Sequence, residues 1–160
     1  MPENFAPYME SNSARTVIDT LNARLCDTIA LTLAVKQAHW NLKGPGFIGV
    51  HELLDDVADH LRESSDMMAE RAVIMGGLAD GTLETVSGKT AIEPYPKDIV
   101  AIEDHVSALT ERFKAYGTAI REAIDTADEA GDEDAADLFT EVSRTVEKDA
   151  WFIGANLPAR

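Results

Sequence analysis

A chain of 160 residues, 45% hydrophobic and 27% charged, is long enough to bury one core and has the composition of a globular domain rather than a disordered or membrane-embedded one. Acidic residues outnumber Lys plus Arg by 29 to 14, a formal charge of −15, which argues against a polyanion such as DNA as the default partner and favours cations. Cys26 is the single cysteine, which excludes an intrachain disulfide and a Cys-rich zinc module; no apolar run approaches the roughly 20 residues of a bilayer span, and Met1 to Ser13 lacks the basic-then-apolar order of a signal peptide.

Val17, Leu21, Leu25, Ile29 and Leu33 recur at four-residue spacing, which predicts a helix from about Ser13 to Leu42. Lys43-Gly44-Pro45-Gly46 breaks it. A second stripe follows through Val50, Leu54, Val57, Leu61, Met68, Ala72 and Met75, with Gly76-Gly77 as its stop. About twenty residues then pass before the third, and Thr82 to Ser87 within them is expected to form a short helix. The third long helix carries Ile102, Val106, Leu109, Phe113, Tyr116, Ile120 and Ile124, with Asp98 as its expected N-cap. The fourth carries Leu138, Val142, Val146 and Ile153 and stops near Pro158. No strand of useful length is visible. The pattern predicts an all-α, ferritin-like four-helix bundle. Its first pair is antiparallel, and the long connection between helices 2 and 3 crosses over along the bundle with a short extra helix inside it. We divide the chain into a flexible segment over 1–12, the bundle over 13–157 and a short tail over 158–160.

The chemistry concentrates between Lys36 and Arg71, where His39, His51, Asp55, Asp66 and Glu70 are all capable of binding metal. At about 100° per residue, taking His51 as the origin, Asp55 falls near 40°, Asp66 near 60° and Glu70 near 100°, one stripe of the second helix. His39 stands about as far before the Gly-Pro-Gly turn as His51 stands after it, so the two imidazoles lie level. From Asp55 to Asp66, however, is roughly 16 Å of helix, whereas ligands of one metal sit about 2 Å from it. The two pairs cannot meet within one chain, but they can meet if two copies of the second helix pack antiparallel across a two-fold axis, His39, His51 and Asp55 of one subunit facing Asp66 and Glu70 of the other. Imidazole with carboxylate suits iron, zinc or manganese, and spacing does not choose among them. His60 lies half a turn from His51 with no acidic partner on its own stripe, and His105 is isolated; both read as structural histidines.

These residues carry a resemblance. Lys36-Gln-Ala-His39-Trp40-Asn41, then Phe47-Ile-Gly-Val-His51-Glu-Leu-Leu-Asp55, then Asp66-Met-Met-Ala-Glu70-Arg71, with Tyr95-Pro96 and Trp151-Phe152 further on, resemble the Dps family of miniferritins. The likeness extends from about Thr16 to Asn156. It implies a hollow homo-dodecamer, built from two-fold dimers, that oxidises Fe(II) with hydrogen peroxide or oxygen and stores ferric mineral inside. It implies His39, His51, Asp55, Asp66 and Glu70 as iron ligands of a mono- or di-iron site shared by two subunits, with zinc or another divalent metal as an alternative occupant. Trp40 would intercept stray oxidising equivalents, or simply pack at the dimer interface. Seven acids between Asp125 and Asp137 would border a three-fold pore, with Asp132, Asp134 and Asp137 as its candidate lining.

The family's DNA-binding members often use Lys-rich tails, and here the chain departs. Met1 to Thr20 holds one basic residue, Arg15, and the final four residues hold one, Arg160. Weak DNA binding or none is therefore expected. The competing readings are a nucleoid-compacting structural protein and a plain metal-binding bundle without turnover. A ferritin with its site inside one bundle would want Glu-x-x-His on two helices, a pattern that occurs nowhere in this chain. The expected location is the bacterial cytoplasm, with nucleoid association open.

Overall fold

Five helices account for most of the chain between residues 3 and 158, the part described by the computed structural model; 1–2 and 159–160, including the Arg160 counted above, lie outside the described residues. The helices are α1 (Ser11–Asn41), α2 (Phe47–Ile74), α3 (Leu83–Lys89), α4 (Ile102–Glu129) and α5 (Glu133–Gly154). There is no strand among the described residues. Helix α1 packs on α2 and α4, α5 packs on α4 and α2, and α3 lies across α1. The stripes named above mostly face inward: Leu21, Leu54, Leu61, Leu109, Phe113 and Val142 are fully buried, Leu33 is exposed, and Phe139 rather than the half-buried Leu138 fills the core from α5. Burial of these stripes, at roughly 25 cal/mol per Å² of apolar surface, is what holds four helices of modest propensity in one bundle.

The α1–α2 turn is pinned to the start of α4. Lys43 and Ala101 form an isolated bridge, in which the Lys43 N–H donates to the Val100 carbonyl at 2.9 Å and the Ile102 N–H donates to the Lys43 carbonyl at 3.2 Å. Because α4 starts beside the turn from which α2 departs, the connection from α2 to α4 must travel back along the bundle. α3 rides on that connection, and its N-cap is Thr82, whose hydroxyl accepts from the Thr85 N–H at 3.4 Å. The same bridge corrects the start of α4. The residue preceding it is Ala101, extended and without a side-chain cap, and Asp98 lies outside the helix. Pairing with Lys43 keeps residues 100 and 101 extended, so the helix cannot begin earlier.

At the other end, α4 and α5 meet with almost no linker. Gly131, at φ 81°, lets the backbone reverse: its N–H donates to the Asp128 carbonyl and the next N–H, of Asp132, donates to the Ala127 carbonyl, each at 2.9 Å. Asp132 then caps α5, its carboxylate accepting from the Ala135 N–H at 3.0 Å. The segment before α1 lies against this end. The Phe5 N–H donates to the Ile74 carbonyl at 2.9 Å, Ala6 is buried, and the Tyr8 hydroxyl accepts from Arg71 at 2.9 Å. Residues 5–8 thus dock on this end of the bundle, Ala6 burying apolar surface and Tyr8 supplying an acceptor to Arg71, and α1 begins at Ser11.

Candidate metal centre

His39 closes the last turn of α1 and His51 lies in the second turn of α2, so the tight turn between them brings the rings together. Two glycines make that turn, Gly44 at φ 139° and Gly46 at φ 81°, backbone conformations that side chains with a Cβ rarely adopt. The imidazoles stack with centroids 3.7 Å apart and planes 18° from parallel. Phe47 extends the stack, its centroid 4.9 Å from that of His51. Each histidine is also tied to the other's backbone: Nδ1 of His39 lies 2.8 Å from the His51 carbonyl, and Nδ1 of His51 lies 3.0 Å from the His39 carbonyl. A carbonyl only accepts, so both Nδ1 atoms carry the proton and both Nε2 lone pairs are left for a metal.

Asp55, one turn beyond His51, completes the cluster. Its Oδ1 is 3.5 Å from Nε2 of His39, and ligating atoms of His39, His51 and Asp55 all lie within 4.8 Å of one another. Two neutral imidazole donors and one exposed carboxylate, converging with their rotamers already set, suit a divalent first-row ion. One further residue shares the site. The Lys36 ammonium, one turn before His39, donates to Asp55 Oδ1 and holds that carboxyl below its usual range. The Lys36 ammonium also lies 5.8 Å from the ring centroid of Trp40, which is 67% exposed. Lys36 carried no role in the sequence reading, although its place three residues before His39 puts it on the ligand face.

Asp66 and Glu70 are not brought to this cluster. Both are exposed, lower on α2, and neither makes an ion pair among the described residues. Asp66 borders a groove of about 380 Å³ between α1 and α2 lined by Leu25, Ile29, Leu33 and Ala69, in which Leu33 is 55% exposed.

The acids at the α4–α5 turn divide. Asp132, expected among the pore acids, is fully buried: its carboxylate caps α5 and pairs with Arg71 at 2.5 Å, so it is a structural anchor and not a surface ligand. Asp134 remains open to solvent, with one oxygen 3.3 Å from Arg71, and Asp137 is exposed. Of the remaining histidines, His105 is buried with Nδ1 2.7 Å from the Tyr95 hydroxyl, and burial lowers its pKa. His60 does have an acidic partner, on a different helix: its Nδ1 lies 3.1 Å from both carboxylate oxygens of Asp149 on α5.

The ferritin-like domain family matches residues 18–158 of the chain. A DNA protection during starvation protein of Agrobacterium fabrum is 50% identical over 149 residues, covering 93% of this chain and 92% of that protein. Among solved structures, Mycobacterium smegmatis Dps superposes with a TM-score of 0.93 at 28% identity, covering 98% of this chain and 96% of the other. Dps from Microbacterium arborescens, solved in a high iron form, superposes with a TM-score of 0.87 at 33% identity, covering 96% and 97% respectively.

Proposed function

The chain belongs to the Dps family of ferritin-like proteins, and from that premise we propose that it is a ferroxidase which takes Fe(II) as substrate at sites shared between subunits and stores the ferric product inside a cytoplasmic dodecamer. The observation that carries the reading is the stacked His39–His51 pair, with both Nδ1 atoms tied and both Nε2 atoms converging on Asp55. A structural histidine pair has no need of two free, level lone pairs beside a carboxylate. The incomplete donor set points to a second chain. Asp66 lies roughly 16 Å and Glu70 roughly 22 Å from Asp55 along the same helix, beyond reach of one ion, and Asp66 sits beside an apolar groove with Leu33 exposed. A second copy packed antiparallel across that groove covers its apolar surface and brings Asp66 and Glu70 of the partner subunit to His39, His51 and Asp55, twice per dimer.

Within such a site, two Fe(II) ions each lose one electron to hydrogen peroxide. Its O–O bond breaks, two protons are taken up, and two Fe(III) and two waters result, so no one-electron step releases hydroxyl radical. The imidazoles hold the incoming ferrous ion as neutral donors, while the carboxylates favour the harder ferric product. Asp55 is paired with Lys36 before the ion arrives, and the ion takes the place of the ammonium at Oδ1. Trp40, exposed one residue from His39, stands where stray oxidising equivalents would leave the site. Asp134 and Asp137 remain the exposed acids able to draw cations toward a pore at the α4–α5 turn.

Mixing subunits tests the shared site. Assemblies of His51→Ala alone and of Glu70→Ala alone should both oxidise Fe(II) slowly in stopped-flow assays with peroxide. Co-assembled, they should regain activity, because one interface in each mixed dimer keeps every ligand. Verified mixing without any recovery would refute shared sites, and light scattering that finds an active monomer would refute the dodecamer.

We further propose that protection of DNA by this protein, the property in its relatives' name, comes from removing iron and peroxide rather than from coating the duplex. Phosphate affinity grows with each Lys or Arg contact, at a log–log salt slope of about −0.9 per contact. Residues 1–20 offer only Arg15, on a chain of charge −15 repeated twelve times. Linear duplex should not be retarded at micromolar protein in about 0.15 M salt with chelator. Saturable retardation there would reveal a basic patch that outweighs the net charge.

A further inference from the structure

We propose that His60, together with Asp56 one turn before it, forms a second transition-metal site on α2, separate from the His39–His51–Asp55 cluster. The two cannot share an ion. His51 and His60 are nine residues apart, roughly 13 Å along the helix and about half a turn around it.

Asp149 makes the case for a built site. It is 2% exposed and lies on α5, across the bundle from the helix that carries His60. Both of its oxygens lie 3.1 Å from Nδ1 of His60, and no other side chain or backbone group among the described residues donates to them. The adjacent Lys148 turns away, its ammonium 5.5 Å from the ring centroid of Phe152. A carboxylate is costly to bury unless it is hydrogen-bonded, and here one imidazole is its only hydrogen-bond partner among the described residues. The consequence falls on the imidazole. Its Nδ1 carries the proton, the ring is held in one orientation, and the lone pair sits on Nε2, on the side away from the carboxylate. Carboxylate–imidazole–metal sets are arranged in this way.

The outer edge of that ring is accessible. The His60 side chain is 42% exposed, and Nε2 has no hydrogen-bond partner among the described residues. Asp56 precedes His60 by four residues and is exposed, so it shares the imidazole's face of the helix, at the spacing that also joins His51 and Asp55, and a side-chain rotation would bring an oxygen to an ion on Nε2. One imidazole and one carboxylate leave the other coordination positions to water. The geometry points to an open site for a first-row divalent ion that accepts nitrogen and oxygen donors, weaker than the three-donor cluster. It does not rest on iron turnover, because binding of an inert ion reads it directly.

The test uses the full-length assembled protein titrated with Co(II), followed by visible absorption, with Zn(II) competition against a chromogenic chelator as the second measurement. The wild type should show two classes of site per chain. His60→Asn, whose amide still donates to Asp149, should lose the weaker class and keep the tighter one. Asp149→Asn should keep the imidazole but weaken that class by about 10- to 100-fold. Asp56→Ala is an exposed substitution that leaves the fold intact, and it should weaken the same class even if the His60 variant fails to assemble. A single class in the wild type, or an Asp56→Ala titration indistinguishable from wild type, would overturn the proposal. Loss of the tighter class would instead bear on the reading of the His39–His51 cluster.

Discussion

Along α2, His51 with Asp55 and Asp66 with Glu70 repeat one four-residue spacing on one stripe, yet the fold treats the two pairs differently. The first pair is prepared within the chain. His51 is stacked between His39 and Phe47, its tautomer is set by a backbone carbonyl, and Asp55 is held by Lys36. The second pair stands exposed, with no ion-pair partner among the described residues and an apolar groove beside Asp66. Position on the bundle makes the difference. The first pair lies where a tight turn returns the chain, so local geometry supplies neighbours. The second faces outward from the C-terminal third of α2, where no other segment of the described chain packs against it. On the shared-site reading proposed above, one half-site is preorganised, and the other waits for its surface to be covered.

The comparison breaks first at the ligands. His51→Ala combined with Asp55→Ala should reduce peroxide-dependent Fe(II) oxidation at least about a hundredfold, since even outer-shell partners of metal sites are worth 10- to 100-fold. The mass of the assembly should not change, because neither residue belongs to the core. An unaltered rate in an intact double variant would place oxidation elsewhere.

A second contrast lies just beyond Glu70. Arg71 is anchored by buried Asp132, whereas Asp134 touches the same guanidinium from solvent. Asp132→Ala leaves a buried guanidinium without its counter-charge and strips the cap of α5, and should cost about 3–5 kcal/mol in denaturant unfolding. Asp134→Ala should stay within about 0.5 kcal/mol. Equal effects would show that burial does not separate the two acids.

The prepared half-site is sharpened by removing its competitor. Lys36→Met frees Asp55 Oδ1, and Zn(II) affinity of the cluster should rise about two- to fivefold, the scale of a partly exposed ion pair. Weaker binding would mean that Lys36 orients Asp55 for the ion instead of competing with it.

The smallest effect is a pH dependence away from both half-sites. Burial depresses the His105 pKa, so as pH falls through the ordinary histidine value near 6.5 the unfolded chain takes up a proton before the folded one does. The stability contribution is complete above that value and declines below it until the folded His105 also titrates. Between pH 7.5 and 5.5 the Tm of wild type should fall by more than that of His105→Gln, by no more than about 4 °C. Parallel curves would show that His105 does not contribute.

The bundle was legible in the sequence because helical periodicity is local. Recurrences from Val17 to Leu25 and from Ile102 to Ile120 mark faces that are buried, while Leu33 at the end of the first stripe is exposed, and Gly-Pro-Gly between His39 and His51 forces the return that makes the imidazoles level. Helix rise alone also separates Asp55 from Asp66. What sequence could not supply are contacts between residues distant along the chain. The Lys43–Ala101 bridge, 58 positions apart, decides where α4 starts and overrides Asp98 as a cap. Arg71, 61 positions away, turns Asp132 inward from the acidic run in which it looked like its neighbours. Asp149, 89 positions away, gives His60 a buried partner that spacing along α2 could not show. Periodicity, turn chemistry and the spacing of donor side chains follow from bond geometry over a few residues, and so the sequence by itself determined the helices and the stripe that carries His51, Asp55, Asp66 and Glu70. Which carboxylates are buried, which imidazole nitrogens stay free and which acids remain open depend on what packs against them, and only the tertiary structure decided that.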